Sequence, residues 1–161
     1  MLALARTIAD RLVSLSAFLG AVALAVISLT VIVDVVGRLF GAPLYGSRDI
    51  VQMAAVFVVF GGMAYCERTG GHITVDILEP VFSARVNRAL NILGSLIGAV
   101  VFALIAWQIW EASKLSVLLK MSTNILFLPR APFQYAIAAM SALASLYLVL
   151  KALAGLLERS E

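Results

Sequence analysis

The segment ALNILGSLIGAVVFALIAWQIW (residues 89–110) contains 22 residues and no charged or histidine side chain. A helix needs about 20 apolar residues to cross roughly 30 Å of hydrocarbon. No water is present at that depth to bond the backbone N–H and C=O groups, so a crossing segment must satisfy them within its own helix. The segment therefore predicts a transmembrane helix.

Three more segments share this character. They are Leu12–Val33, Ile50–Cys66 and Ala131–Leu150. Of the 161 residues, 63% are hydrophobic and the mean hydropathy is +1.05, whereas soluble domains contain about 45–50% apolar residues. We expect an all-α integral membrane protein, with a single membrane domain of four transmembrane helices, short connections and no separate soluble domain.

The first segment also has features of a secretory signal. Arg6 and Arg11 precede it, and Ala21–Ala23 resembles a small-residue cleavage site. The apolar part of a signal is only about 7–15 residues long. Because this run continues to Val33, we expect an uncleaved first span.

The connection Glu67–Arg88 carries six charged residues, more than either of the other two connections. Pro80 suits the first position of a helix. One apolar helical face follows it, formed by Val81, Phe82, Val86 and Leu90. We expect an interfacial helical segment before the third span. A third helix from about Pro80 to Lys114 is roughly 50 Å long, so it must tilt or protrude from the membrane.

Small residues in the second and third spans allow another helix to approach closely. They are Gly61, Gly62, Gly94 and Gly98. The neighbouring helix belongs either to this chain or to a partner subunit.

Four side chains are of the aromatic and basic types that concentrate at the membrane surface. Trp107 and Trp110 fit an interfacial aromatic belt. Arg85 and Arg88 are candidate anchors for anionic lipid headgroups, with ordinary solvation as an equal alternative.

The distribution of basic residues indicates an orientation. Four spans place both termini and the Glu67–Arg88 connection on one side, which carries seven Lys and Arg residues against five on the other. Basic residues are retained in the cytoplasm, so we expect both termini to be cytoplasmic.

The spans lack the groups that autonomous transport or catalysis needs. Transporters keep ionisable residues or broken helices at the depth where the cargo crosses, and neither is indicated here. His72 is the only histidine and Cys66 the only cysteine, so the sequence indicates no metal site, no cofactor and no enzyme activity. The basic residues flank the spans without clustering, which argues against nucleic-acid binding.

Polar residues at the span ends are the remaining candidates for a site. Asp34 and Arg38 stand at i and i+4, a spacing that allows an ion pair on one helix face. Asp49 suits the positive end of the second helix. His72 and Asp76 follow the second span, in a pattern more typical of a hydrogen bond that organises a loop than of catalysis.

These residues belong to an ordered pattern along the chain. It comprises Arg38, Phe40, Pro43, Gly46–Asp49, Val58–Gly62 and Gly71–Asp76, with weaker features at Leu128, Pro129 and Tyr135. Over essentially its whole length the chain resembles the small, DctQ-like membrane subunit of tripartite ATP-independent periplasmic (TRAP) transporters. It has Asp49 where the family usually has Glu, which keeps the charge but shortens the side chain by one methylene.

The resemblance implies an accessory scaffold in the bacterial inner membrane. Its partners would be membrane lipids, a large subunit that moves organic anions such as carboxylates with sodium, and a periplasmic substrate-binding protein. No direct contact with the substrate is expected.

The resemblance also implies roles for the polar residues. Arg38, Arg48 and Asp49 are expected on the periplasmic side, where they would position the large subunit or the docked binding protein. A local Asp34–Arg38 pair and headgroup contacts of Arg48 are the alternative.

On the cytoplasmic side, His72 and Asp76 would fix the loop and the interfacial helix against the partner or lipid.

Two other protein classes are alternatives, and each needs a feature that this sequence lacks. A self-assembling small multidrug transporter needs a membrane-embedded Glu, and a subunit of a membrane redox complex usually needs paired haem histidines.

Overall fold

The computed structural model describes residues 2–69 and 83–157, which form four α-helices. They are α1 (Leu2–Leu39), α2 (Ser47–Thr69), α3 (Ala84–Leu118) and α4 (Ala131–Leu157). Within the described residues the only β-type pairing is an isolated bridge between Ser122 and Pro129. The prediction of an all-α chain with four helices is confirmed.

Three of these helices are long and apolar enough to cross a membrane. The qualifying segments are Thr7–Leu39, Val86–Leu118 and Ala131–Leu156. The 23 residues of α2 begin with Ser47, Arg48 and Asp49 and end with charged residues, which leaves an uncharged stretch of only 17 residues. The crossing of the membrane by α2 therefore stays a prediction.

The first and third helices are longer than the hydrocarbon layer is thick. With 38 and 35 residues, α1 and α3 extend about 57 and 52 Å at 1.5 Å per residue. Helix α3 begins at Ala84, after Ser83 in extended conformation, and ends at Leu118. Residues 70–82 lie outside the described part, and with them most of the predicted interfacial segment.

The fourth helix lies at the centre of the packing. α1 packs against α2 and α3 against α4, while α4 also contacts α2 and α1. In the spanning window of α4, 39% of the residues are buried, against 17% in those of α1 and α3. The main buried cluster joins three helices and contains Val13, Ala99, Phe102, Ala144 and Leu148.

Two glycines bring helix backbones or side chains into close contact. Gly61 lies against α1, where a Cβ atom would collide with the carbonyl oxygen of Ser16 and come within 3.3 Å of Gly20 Cα. Gly98 lies against α4, where a Cβ atom would be 3.1 Å from Leu148 Cδ1. Small residues at these points allow the close approach that stabilises helices in a membrane.

Two other predicted packing glycines have a different environment. At Gly62 and Gly94, an added Cβ atom would meet nothing within 4 Å. The Gly62 backbone nitrogen lies near Gly20 of α1, but no described residue faces the open side of either glycine, so packing on that side depends on a partner.

Substitution of Gly61 tests the contact between α1 and α2. Gly61→Ala is expected to destabilise the protein by about 1–3 kcal/mol, since the new methyl group meets backbone that cannot rotate away. The measurement is the midpoint of thermal unfolding in detergent. Gly62→Ala is the matched control, because it adds the same methyl group one residue later in open space, and its midpoint should not fall. Equal midpoints for the two variants would contradict the close contact.

Candidate functional site

The two short connections between helices meet at one end of the molecule, which we call the loop end (residues 40–49 and 119–130). Tyr45 Oη donates a hydrogen bond to the carbonyl oxygen of Ile125 at 3.2 Å. Gly46 has φ 78° and lies so close to the Leu126 side chain that a Cβ atom would collide with it. The first connection thus packs against the second.

Asp34 and Arg38 form a local pair at the end of α1. Asp34 Oδ2 accepts hydrogen bonds from Arg38 Nε at 3.0 Å and Nη2 at 2.8 Å. The other oxygen, Oδ1, accepts one from the backbone N–H of Leu44 at 3.0 Å. The carboxylate therefore holds the chain that leaves α1, and Arg38 is engaged within the molecule.

Asp49 connects distant parts of the chain. Its residue is only 3% exposed, and its Oδ2 accepts hydrogen bonds from the backbone N–H groups of Ile125 at 2.9 Å and Leu126 at 2.8 Å. Hydrogen bonds to an ionised carboxylate are shorter and stronger than neutral ones. The first turn of α2 thereby anchors the connection between α3 and α4.

The same bonds favour the ionised form of Asp49. The N–H of Leu126 has the largest effect in lowering the pKa of this carboxyl below its usual value, and desolvation opposes it. The Thr123 hydroxyl, the Ile125 N–H and the positive charge of Arg130 lower the pKa further. Asp49 is therefore a charged anchor at neutral pH.

The anchored connection folds as a small hairpin, which we call the 119–130 hairpin. Thr123 and Leu128 exchange two bonds: Thr123 N–H donates to Leu128 O at 2.9 Å, and Leu128 N–H donates to Thr123 Oγ1 at 3.0 Å. Lys120 and Phe127 have φ of 48° and 53°. The sequence predicts only a short connection here; its turn-forming Ser, Thr and Asn residues are the local signal for the hairpin.

Positive side chains remain free around the loop end. Arg48 and Lys120 are exposed and have no side-chain hydrogen bond or ion pair with any residue that the structure describes. Lys114, one turn from the end of α3, is neutralised by Glu111 at 2.8 Å. The loop end thus presents uncompensated positive charge.

An ion-pair cluster that sequence reasoning missed joins α1 and α2 at the opposite end. Arg68 Nη1 donates to the carbonyl oxygen of Asp10 at 3.0 Å and to Ser14 Oγ. Its guanidinium also lies over the Tyr65 ring, 5.6 Å from the centroid. Because Asp10 and Arg68 are 58 residues apart, no local pattern signals the contact.

The predicted membrane-surface residues lie along α3. Trp107 is 65% exposed, and Trp110 contacts the Tyr135 ring edge-on with 5.2 Å between centroids. Arg88 is exposed beside the start of α3. Arg85 lies in the first turn of α3, and only its backbone is described.

His72 and Asp76 lie outside the described residues, so their predicted role in fixing the cytoplasmic loop stays a prediction. In the part of the chain that is described, no group of three or more His, Cys, Asp or Glu side chains is placed to hold a metal ion.

The ionised Asp49 carboxylate should control how fast the Ile125 and Leu126 amides exchange hydrogen. Since its folded pKa lies below the value of about 3.9 for a free aspartate, its stabilising effect is complete above that pH and is lost as the pH falls through the lower folded value. Protection of both amides, corrected for intrinsic exchange, should stay constant from about pH 7 to 5 and fall below about pH 4. Hydrogen exchange with mass spectrometry measures it.

Two variants control this experiment. Asp49→Asn should reduce protection at neutral pH and remove the pH dependence, because an amide oxygen is a weaker acceptor. Glu111→Gln removes an exposed carboxylate that does not contact the hairpin and should change neither property. Full protection in Asp49→Asn would contradict the anchoring role.

Comparison with known families gives one match. The family described as "Tripartite ATP-independent periplasmic transporters, DctQ component" matches residues 27–158. The match begins within α1 and includes all of α2, α3 and α4. Comparison with curated proteins and with solved structures returned no match.

DctQ is a family of transporter components, not of enzymes. Its match extends over most of this chain, and three of the four helices are suited to cross a membrane. The chain belongs to the DctQ component family of tripartite ATP-independent periplasmic transporters and is a small membrane subunit of such a transporter.

Proposed function

We propose that this subunit is a scaffold beside the large transport subunit and assists docking of the periplasmic substrate-binding protein. The large subunit would move organic anions of the carboxylate type with sodium. The family match over residues 27–158 carries the proposal. It is supported by the four uncharged runs, which offer no site of their own for an anion or a cation.

The apolar surface of α3 supports a partner within the membrane. Among the described helices α3 contacts only α4, and Leu93, Ile97 and Leu104 on its outer surface are more than half exposed. Gly94 is open beside them, which leaves room for another backbone to come close. We propose that a helix of the large subunit packs here.

We further propose that the protein lies in the bacterial inner membrane with both termini in the cytoplasm, as the excess of basic residues on that side favours. The loop end then faces the periplasm. Arg48 supports a docking role there, because it is exposed at the start of α2, beside the anchored Asp49, and has no side-chain partner among the described residues.

Substitution of Gly94 tests the packing of the large subunit. Gly94→Leu should reduce recovery of the large subunit in copurification from membranes, since the added side chain prevents close approach of its helix. Ala103→Leu is the control, since Ala103 is also exposed on α3 but about half a turn away around the helix axis. Undiminished recovery with Gly94→Leu would exclude packing at Gly94, and failure of the wild-type chain to copurify would overturn the scaffold proposal.

Charge reversal at Arg48 tests docking. In proteoliposomes that contain both membrane subunits, Arg48→Glu should raise the binding-protein concentration for half-maximal uptake about fivefold, which corresponds to about 1 kcal/mol. Maximal uptake should be retained, because Arg48 does not contact the transported anion. Lys151→Glu makes the same charge change at the opposite end and should leave the concentration dependence unaltered. An unchanged dependence with Arg48→Glu would count against docking at this residue.

A further inference from the structure

A cavity of about 550 Å³ lies between the end of α3, the 119–130 hairpin and the start of α4. Its apolar lining includes Val117, Met121, Pro132 and Tyr135, and Lys120 and Phe127 stand at the hairpin side. Ser116 and Ser122 also line it, and none of the described lining residues carries a carboxylate. The cavity is therefore largely apolar, with Lys120 as its one cationic side chain among the described residues.

The cavity straddles the boundary of the membrane spans. The apolar span of α3 ends at Leu118 and that of α4 begins at Ala131, and residues on both sides of these limits line the cavity. Val117 and Pro132 belong to the span side, whereas Lys120 belongs to the hairpin. The contact of Trp110 with Tyr135 nearby is typical of the interfacial layer, where aromatic side chains concentrate.

The backbone holds the two hairpin residues in unusual conformations. Lys120 and Phe127 both have positive φ, and the left-handed region is rare for residues other than Gly, Asn and Asp, most of all for bulky ones. Strain of this kind concentrates at ligand sites, where the surrounding structure enforces it. The bonds from Asp49 to the Ile125 and Leu126 amides fix the hairpin directly before Phe127.

The Lys120 ammonium group and the Phe127 ring are both available to a ligand. Lys120 has no hydrogen-bond or ion-pair partner for its ammonium group among the described residues. Phe127 is 73% exposed although it lines the cavity. A ligand that fits has an anionic group at the membrane surface and an apolar part that extends into the hydrocarbon.

We propose that this cavity binds one anionic phospholipid. Its phosphate bonds to Lys120, and the first part of an acyl chain packs against Val117, Pro132 and Tyr135 beneath the Phe127 ring. A lipid fits better than an apolar side chain of a protein partner, because the cationic side and the apolar side of the cavity lie in the same order as headgroup and hydrocarbon.

The test uses the full-length chain in nanodiscs of equal parts phosphatidylglycerol and phosphatidylcholine. Native mass spectrometry after release into detergent measures the lipid that each variant retains. The wild-type chain should retain one phosphatidylglycerol in preference to phosphatidylcholine. Lys120→Asn should lower that retention about fivefold, as expected for one basic residue near an anionic surface, and Lys120→Arg should restore it. Lys114→Asn removes a neighbouring cation that is paired with Glu111 and should have no effect.

Asn is chosen because it tolerates positive φ, so the hairpin conformation is kept. Phe127→Asn removes the ring and relieves the backbone, and should lower lipid retention without lowering the unfolding midpoint in lipid-free detergent. Equal retention by wild-type and Lys120→Asn chains, or no preference for phosphatidylglycerol, would overturn the proposal. A fall in midpoint for Phe127→Asn would also overturn it, since the ring would then be part of the folded core.

A protein partner as occupant gives a different result. In that case the large subunit displaces the lipid, and Phe127→Asn weakens copurification of that subunit but leaves lipid retention by the isolated chain unchanged. The cavity then receives a side chain of the partner, and the lipid proposal is wrong.

Discussion

The buried carboxylate of Asp49 holds the loop end in its conformation. One oxygen accepts two consecutive backbone N–H groups from a segment 76 and 77 residues further along the chain. A buried charge is tolerated only when such bonds replace its hydration, and these bonds in turn fix the hairpin. Leu126, which packs against Gly46, is one of the two anchored residues, and Phe127 with its positive φ follows directly.

The membrane determines how the rest of the molecule is stabilised. Exposed apolar side chains cost little in lipid, so burial of apolar surface does not drive the helices together as it does in water. Close contacts at small residues take that role, as at Gly20 with Gly61 and at Gly98 with Leu148. The resulting bundle buries α4 and leaves α1 and α3 with broad outer surfaces, which suits a subunit that other membrane components surround.

The polar contacts that join distant parts of the chain lie mainly at the ends of the helices. The loop end combines a charged internal anchor, the exposed Arg48 and Lys120 side chains, which have no partner among the described residues, and a largely apolar cavity at the ends of two apolar helices. The opposite end is held by the contacts of Arg68 with Asp10 and Ser14. Each end is thus held by contacts between residues that lie far apart in the chain.

The sequence by itself determined the helical class, the position of the uncharged runs and the local Asp34–Arg38 pair, because each depends on residues within a few turns of one another. It also indicated that Gly61 and Gly98 allow close contact between helices, but not which residues they contact. Only the tertiary structure decided that Asp49 binds the 119–130 hairpin, that Arg68 binds Asp10, and that Gly62 and Gly94 face outward. Those contacts join residues far apart in the chain, and which residues meet is decided by the rotation and register of packed helices, which no local pattern encodes.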